Sequence, residues 1–160
     1  MINEEKNLSA EGMAFIQSWE KLRLKPYLDS GGVPTIGYGM TYYPDSGQRV
    51  TLQDKPLTPE QATAQHKLAL RRYEAAVNRY VQVSINQPQF DALVSLAYNI
   101  GAEALRQSTL LRRLNQGNYS AASAQFGRWV YDNGRREPGL VNRRLDERAM
   151  FDRGVYCMHN

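Results

Sequence analysis

Residues 19–40 read WEKLRLKPYLDSGGVPTIGYGM, and no other stretch constrains the chain as tightly. Glu20, Asp29 and Thr35 fall nine and six residues apart, across a helix end, a glycine-rich turn and a short extended segment. Pro26 disfavours helical geometry at Lys25, so the helix carrying Glu20 ends shortly after it. Ser30-Gly31-Gly32 is a turn cluster, and Thr35-Ile36-Gly37-Tyr38-Gly39 is β-branched and glycine-interrupted, as a short bent strand would be. A hairpin folded about residues 30–33 would set Asp29 and Thr35 on adjacent strands, facing one cleft. Alternation would then put Gly37 and Gly39 on the Thr35 face, leaving a bulky ligand room against the backbone. The carbonyl end of a helix disfavours negative charge, which suits Glu20 to holding a proton. One carboxyl to protonate a leaving oxygen and a second, with a hydroxyl, to activate water is the division of labour that hydrolyses a glycosidic bond. Singly, these residues are an ordinary surface glutamate, a turn aspartate and a kinked strand; their combination carries the weight.

Working outward, Ser9 can cap a helix with Glu11 in its first turn and Met13, Ile16 and Glu20 along one face. Pro44-Asp45-Ser46-Gly47 marks a turn and Val50-Thr51-Leu52 a further short strand, completing a small antiparallel sheet too thin to stand alone. Thr58-Pro59-Glu60-Gln61 is a capping box with proline at the first helical position, opening a helix that runs unbroken to Tyr80. An apolar helix from Pro88 to Ile100 closes at Gly101. Ser108 opens a short helix ending near Gly117, Ser120–Tyr131 forms another, and Asp132–Gly139 is a polar loop. Leu140–Phe151 is the last helix, stopped by Gly154. The expected fold is α+β and mostly α-helical, within one catalytic domain spanning 1–160: an N-terminal helix and β-lobe (1–58), a linking helix (59–80) and a helical lobe (81–160).

The chain of 160 residues has room for one ordinary core or two small lobes sharing a helix. No apolar run reaches membrane-spanning length, so stable membrane insertion is not expected. MINEEKNLSAEG lacks the apolar region of a secretory signal, so delivery beyond the cytoplasm would need another route. Cys157 is the single cysteine, and His66 and His159 have no cysteine companions at zinc spacing, so neither a disulfide nor a metal is expected. The net charge of +4 is uneven: eight acids and six bases before residue 61, eight acids and fourteen bases after it. Arg71-Arg72, Arg112-Arg113 and Arg135-Arg136 lean toward a polyanion, yet no helix-turn-helix or stacking array accompanies them. A basic binding module is therefore the weaker reading, and nucleic acid is not an expected partner.

The Glu20–Asp29–Thr35 spacing, followed at once by Ile36-Gly37-Tyr38-Gly39, resembles the catalytic region of the phage-type (T4-like) lysozymes, the endolysin family of muramidases, in glycoside hydrolase family 24. Phe90–Gly101 is similar to that family's central buried helix. Ser108-Thr109-Leu110-Leu111, Phe126-Gly127-Arg128-Trp129-Val130, and Pro138-Gly139-Leu140 with Arg143-Arg144 are similar to its later elements, so the likeness spans about residues 10–154. It implies a lysozyme-like fold and hydrolysis, without cofactor, of the β-1,4 bond between N-acetylmuramic acid and N-acetylglucosamine in bacterial peptidoglycan, leading to lysis. It implies Glu20 as general acid, with Asp29 and Thr35 activating a water for an inverting reaction. Tyr98, Thr109, Gly37 and Gly39 would meet the sugars, and Arg143 would pair with Glu20 across the cleft. A monomer is expected, made in the host cytoplasm and released to the wall through a holin or a secretion system. The family usually has histidine where this chain has Met40, which removes one supporting contact. A lytic transglycosylase would need the glutamate alone, and the presence of Asp29 and Thr35 argues against it.

Overall fold

Helix α1 (Ala10–Trp19) begins where the Ser9 side chain accepts a hydrogen bond from the Gly12 amide, and it ends with Glu20 as its C-cap. The computed structural model describes residues 4–159; residues 1–3, the start of the MINEEKNLSAEG stretch, and Asn160 lie outside the described residues. After α1 the chain forms β1 (Arg23–Leu28) and β2 (Pro34–Gly37), an antiparallel pair with Tyr27 opposite Thr35 and a bulge between Arg23 and Tyr27.

The second strand is shorter than the sequence suggests. Gly37 (φ +67°) and Gly39 (φ +79°) adopt left-handed geometry, and the chain reverses so that Ile36 and Met40 exchange both backbone hydrogen bonds at 2.9 Å. Alternation therefore stops at Gly37. Val50–Leu52 is not a strand either: the Thr51 amide and hydroxyl bond the Asp54 carboxylate at 2.9 and 2.6 Å, curling residues 51–54 into a turn. An isolated bridge between Tyr42 and Arg49 is the only pairing there among the described residues.

Helix α2 (Pro59–Tyr80) has the full Thr58–Gln61 capping box, and α3 (Gln87–Ile100) has a second one from Asn86 and Gln89. Helix α3 is the apolar centre, with Phe90, Leu93, Val94, Leu96 and Ala97 at 1% exposure or less, packed against α1, α2 and α7. Each such Phe or Leu contributes about 1.5–3 kcal/mol on burial. The five-residue α4 (Ala102–Arg106), too short to show a periodicity, follows Gly101 and precedes α5 (Thr109–Asn115).

The expected helix over 120–131 is broken. It resolves into α6 (Tyr119–Ser123) and a 3-10 turn (Phe126–Arg128), after which Trp129 leaves helical geometry. The polar loop after it is a hairpin, β3 (Tyr131–Asp132) with β4 (Arg135–Arg136), turned through Asn133 and Gly134 at φ +51° and +77°. Asn-Gly is a strong signal for such a turn, and it was legible in the sequence. Helix α7 (Pro138–Arg153) starts two residues earlier than its apolar pattern and ends at left-handed Gly154.

One anchor escaped the sequence reading. Asp91, fully buried on α3, accepts from the Ser9 amide and hydroxyl, from Gln87 Nε2 and from the Tyr156 hydroxyl. This carboxylate ties the start of α1 and the C-terminal tail to the central helix. The far end of α1 carries Glu20.

Candidate active site

Glu20 stands where two hollows meet. One, of about 720 Å³, is lined by Trp19, Asn99, Trp129, Tyr131, Glu137 and Arg143. The other, of about 280 Å³, is lined by Gly39, Thr41, Tyr42, Tyr73, Tyr98 and Asn99. Glu20 and Asn99 belong to both walls, so a ligand running from one hollow to the other passes the Glu20 carboxyl.

Arg143 reaches this carboxyl from α7, its Nη1 donating to Glu20 Oε1 at 3.0 Å. The helix that carries it does not expose it: Arg143 is 4% and Arg144 1% accessible. Two buried arginines need counter-charge. Glu147, with no exposure, supplies it, at 3.3 Å from Arg143 Nε and 2.6 Å from Arg144 Nε. The Ser95 hydroxyl donates to Glu147 Oε2 at 2.5 Å, and Arg144 Nη1 donates to Asn99 Oδ1 at 2.8 Å and to the Trp129 carbonyl at 3.2 Å. A chain of alternating charges, Glu20, Arg143, Glu147 and Arg144, thus runs from the cleft into the core.

Asp29 and Thr35 lie on the β1–β2 hairpin and are joined through one residue. Asp29 Oδ1 accepts from the Val33 amide at 2.9 Å, and Thr35 Oγ1 donates to the Val33 carbonyl at 2.8 Å. Asp29 Oδ1 also accepts from the Gly31 amide at 2.8 Å, the local bond that an aspartate makes before a tight turn. Thr35 is 2% exposed, so it is not presented openly to a cleft.

The expected sugar-contacting residues separate. Gly37 is buried, and a Cβ on it would fall 2.7 Å from Met40 Cε, so it accommodates the lobe's own interior instead of an open ligand bed. Gly39 does face the site: a Cβ there would stand 3.2 Å from Glu20 Oε2. Tyr98 lines the smaller hollow, but its hydroxyl donates to the Tyr38 carbonyl at 2.9 Å, fastening α3 to the Gly37–Gly39 turn. Burial foremost, and the Glu20 charge next, push the Tyr98 hydroxyl well above the usual phenol range. Thr109 lines a third hollow with Gln107, Gln125 and Arg128, and Trp129 separates it from the Glu20 cleft.

Sequence reasoning also passed over His66. It is fully buried on α2, stacked on Tyr38 with ring centroids 4.8 Å apart and edge-on to Tyr98 at 5.2 Å. Gln17 Nε2 lies 3.2 Å from its Nδ1, and Nε2 meets no hydrogen-bond partner. Burial first, then the Arg143 charge, lower its pKa to about 4, so the ring is neutral near pH 7. The tight spacing of Met40 and Gly37 shows what fills the histidine position of the family pattern: an apolar side chain 4% exposed.

A carboxyl held by a buried guanidinium where two hollows meet, on a chain that joins a small sheet to a helical body, is the arrangement of a lysozyme-type glycoside hydrolase. The phage lysozyme family model matches residues 17–147. The chain is 39% identical over 150 residues to an endolysin of Acyrthosiphon pisum secondary endosymbiont phage 1, covering 91% of this chain and 98% of that one. It is 41% identical over 153 residues to the endolysin of Bacillus phage PZA, covering 92% of this chain but only 56% of that longer protein. The solved endolysin of Escherichia coli O157:H7 phage FAHEc1 superposes with a TM-score of 0.89 at 35% identity, over 96% of this chain and 98% of that one. The chain belongs to the phage lysozyme family. It is a glycoside hydrolase of the muramidase class, and its substrate is the peptidoglycan of the bacterial wall.

Proposed function

We propose that the whole chain acts as a single, monomeric catalytic domain that cleaves the muramic acid–glucosamine bond with inversion. Glu20 gives its proton to the glycosidic oxygen as the C1–oxygen bond breaks. Asp29 accepts a proton from a water that attacks C1 from the opposite face, and Thr35 helps to hold that water. The observation that carries this reading is the position of Glu20, at the junction of two hollows with Arg143 3.0 Å away. The link through Val33 supports a joint role for Asp29 and Thr35, because the backbone of one residue fixes both side chains. Gly39 lets the chain pass close to the Glu20 carboxyl, and Tyr98 holds that passage in place, as a sugar-binding wall requires.

No helix among the described residues is long and apolar enough to cross a membrane. Release of a cytoplasmically made protein through a holin or a secretion system accounts for its reaching the wall. Mass spectrometry of muropeptides released from purified peptidoglycan tests the chemistry. Water as the nucleophile gives reducing muramic ends. Anhydromuramic ends would show a lytic transglycosylase and remove the role given to Asp29 and Thr35.

A further inference from the structure

We infer that Glu147 is a positioning residue that sets the proton affinity of Glu20 by competing for Arg143. The inference rests on Glu20 being the general acid. A general acid must keep its proton until the leaving oxygen takes it, and a guanidinium 3.0 Å away works against that by favouring the anion. An Arg143 devoted to Glu20 alone would exert all of that pull on the one carboxyl. It is not so devoted: the same guanidinium lies 3.3 Å from Glu147 Oε2, and its Nη2 donates to the Ser95 carbonyl at 3.3 Å. Glu147 is fully buried, so little solvent screens its charge from Arg143. Arg144 in turn draws on Glu147 from the far side, at 2.6 Å. The balance at Glu20 is therefore set through Arg143 by two buried groups, Glu147 and Arg144, that line neither hollow.

Other charges facing this group act from separate elements. Tyr27 on β1 and Tyr98 on α3 feel the Glu20 charge, and neutral His66 on α2 feels that of Arg143. Asp146 feels that of Glu147, while Asp132 and Glu137 share the larger hollow with Glu20. None of them bridges Arg143 as Glu147 does.

The test is the pH profile of kcat/KM on purified peptidoglycan, whose alkaline limb reports the free enzyme's acid. Glu147→Gln frees Arg143 for Glu20, so the limb moves to lower pH by about half a unit or more. Arg144→Gln leaves Glu147 wholly to Arg143 and moves the limb to higher pH. Glu147→Asp keeps the charge and restores the limb toward the parental position. Opposite shifts in the first two variants are the mark of charge competition; loss of packing alone lowers the rate without moving the limb. Should Glu147→Gln not fold, the direction in Arg144→Gln decides. An unmoved limb in a folded variant overturns the inference while leaving Glu20 as the acid, whereas Glu20→Gln that retains lysis overturns the reading beneath it.

Discussion

Arg143 and Glu20, 123 positions apart in sequence, meet at 3.0 Å, and this pair closes the helical body onto the end of α1. Arg143 is 4% exposed and its second partner, Glu147, is fully buried, so removing the guanidinium takes a buried partner from two carboxylates and leaves Glu147 to Arg144 alone. Arg143→Met is expected to cost roughly 3–5 kcal/mol of stability, the usual penalty for breaking a buried pair from one side. Urea unfolding of parent and variant at pH 7 measures it. A loss below about 1 kcal/mol would mean that Arg144 alone satisfies Glu147.

Gly39 is open to a sharper test because two constraints coincide there. Its φ of +79° costs an L side chain about 1–2 kcal/mol, and a Cβ would sit 3.2 Å from Glu20 Oε2. Gly39→Ala should lower kcat by about tenfold or more, since small misplacements of a reacting group are expensive. Gly47→Ala, at φ +75° with open space around it, supplies the control: similar strain, with lysis unaffected. Equal losses in both variants would assign the Gly39 effect to strain alone.

His66 makes stability depend on pH with a definite sign. Its folded pKa, about 4, lies below the ordinary 6.5, so the unfolded chain takes up the proton first as pH falls. The contribution is complete above about pH 6.5, shrinks as the pH falls toward 4, and approaches 3 kcal/mol in all. Urea midpoints at pH 7 and 4.5 should therefore differ less in His66→Gln than in the parent. Parallel declines would show that His66 is not the group responsible.

Tyr98→Phe keeps the ring against His66 and Tyr73 but removes the donor to the Tyr38 carbonyl. We expect a loss of about 1 kcal/mol and faster amide exchange confined to residues 37–40. Exchange rising evenly along the chain instead would deny Tyr98 its role as the fastening of that turn.

How much of this was visible in the sequence depends on whether the information was local. Helices α2 and α3 announced themselves, because Thr58-Pro59-Glu60-Gln61 satisfies the first turn of α2 with its own side chains, and Gly101 ends α3. The end of α1 at Glu20 followed from Pro26. Val50–Leu52 misled because β-branched composition lost to the Thr51–Asp54 side-chain bonds. The hairpin after Trp129 lay in the Asn133-Gly134 turn, a signal present within the stretch read as a polar loop. Asp91, His66 and Glu147 were illegible for a different reason: each occupies an ordinary helix position, and only packing against distant segments makes it buried. The same limit applied to Gly37, whose open face in an ideal strand is filled here by Met40.

The proton donor is the centre of the account, and Glu20→Gln tests it most directly. The amide keeps the size of the side chain and can still meet Arg143, but it cannot give up a proton to the leaving oxygen. With circular dichroism and melting close to the parent, the initial rate of clearing of purified peptidoglycan should fall by at least about a hundredfold. A folded Glu20→Gln protein that clears the wall at nearly the parental rate would contradict the assignment.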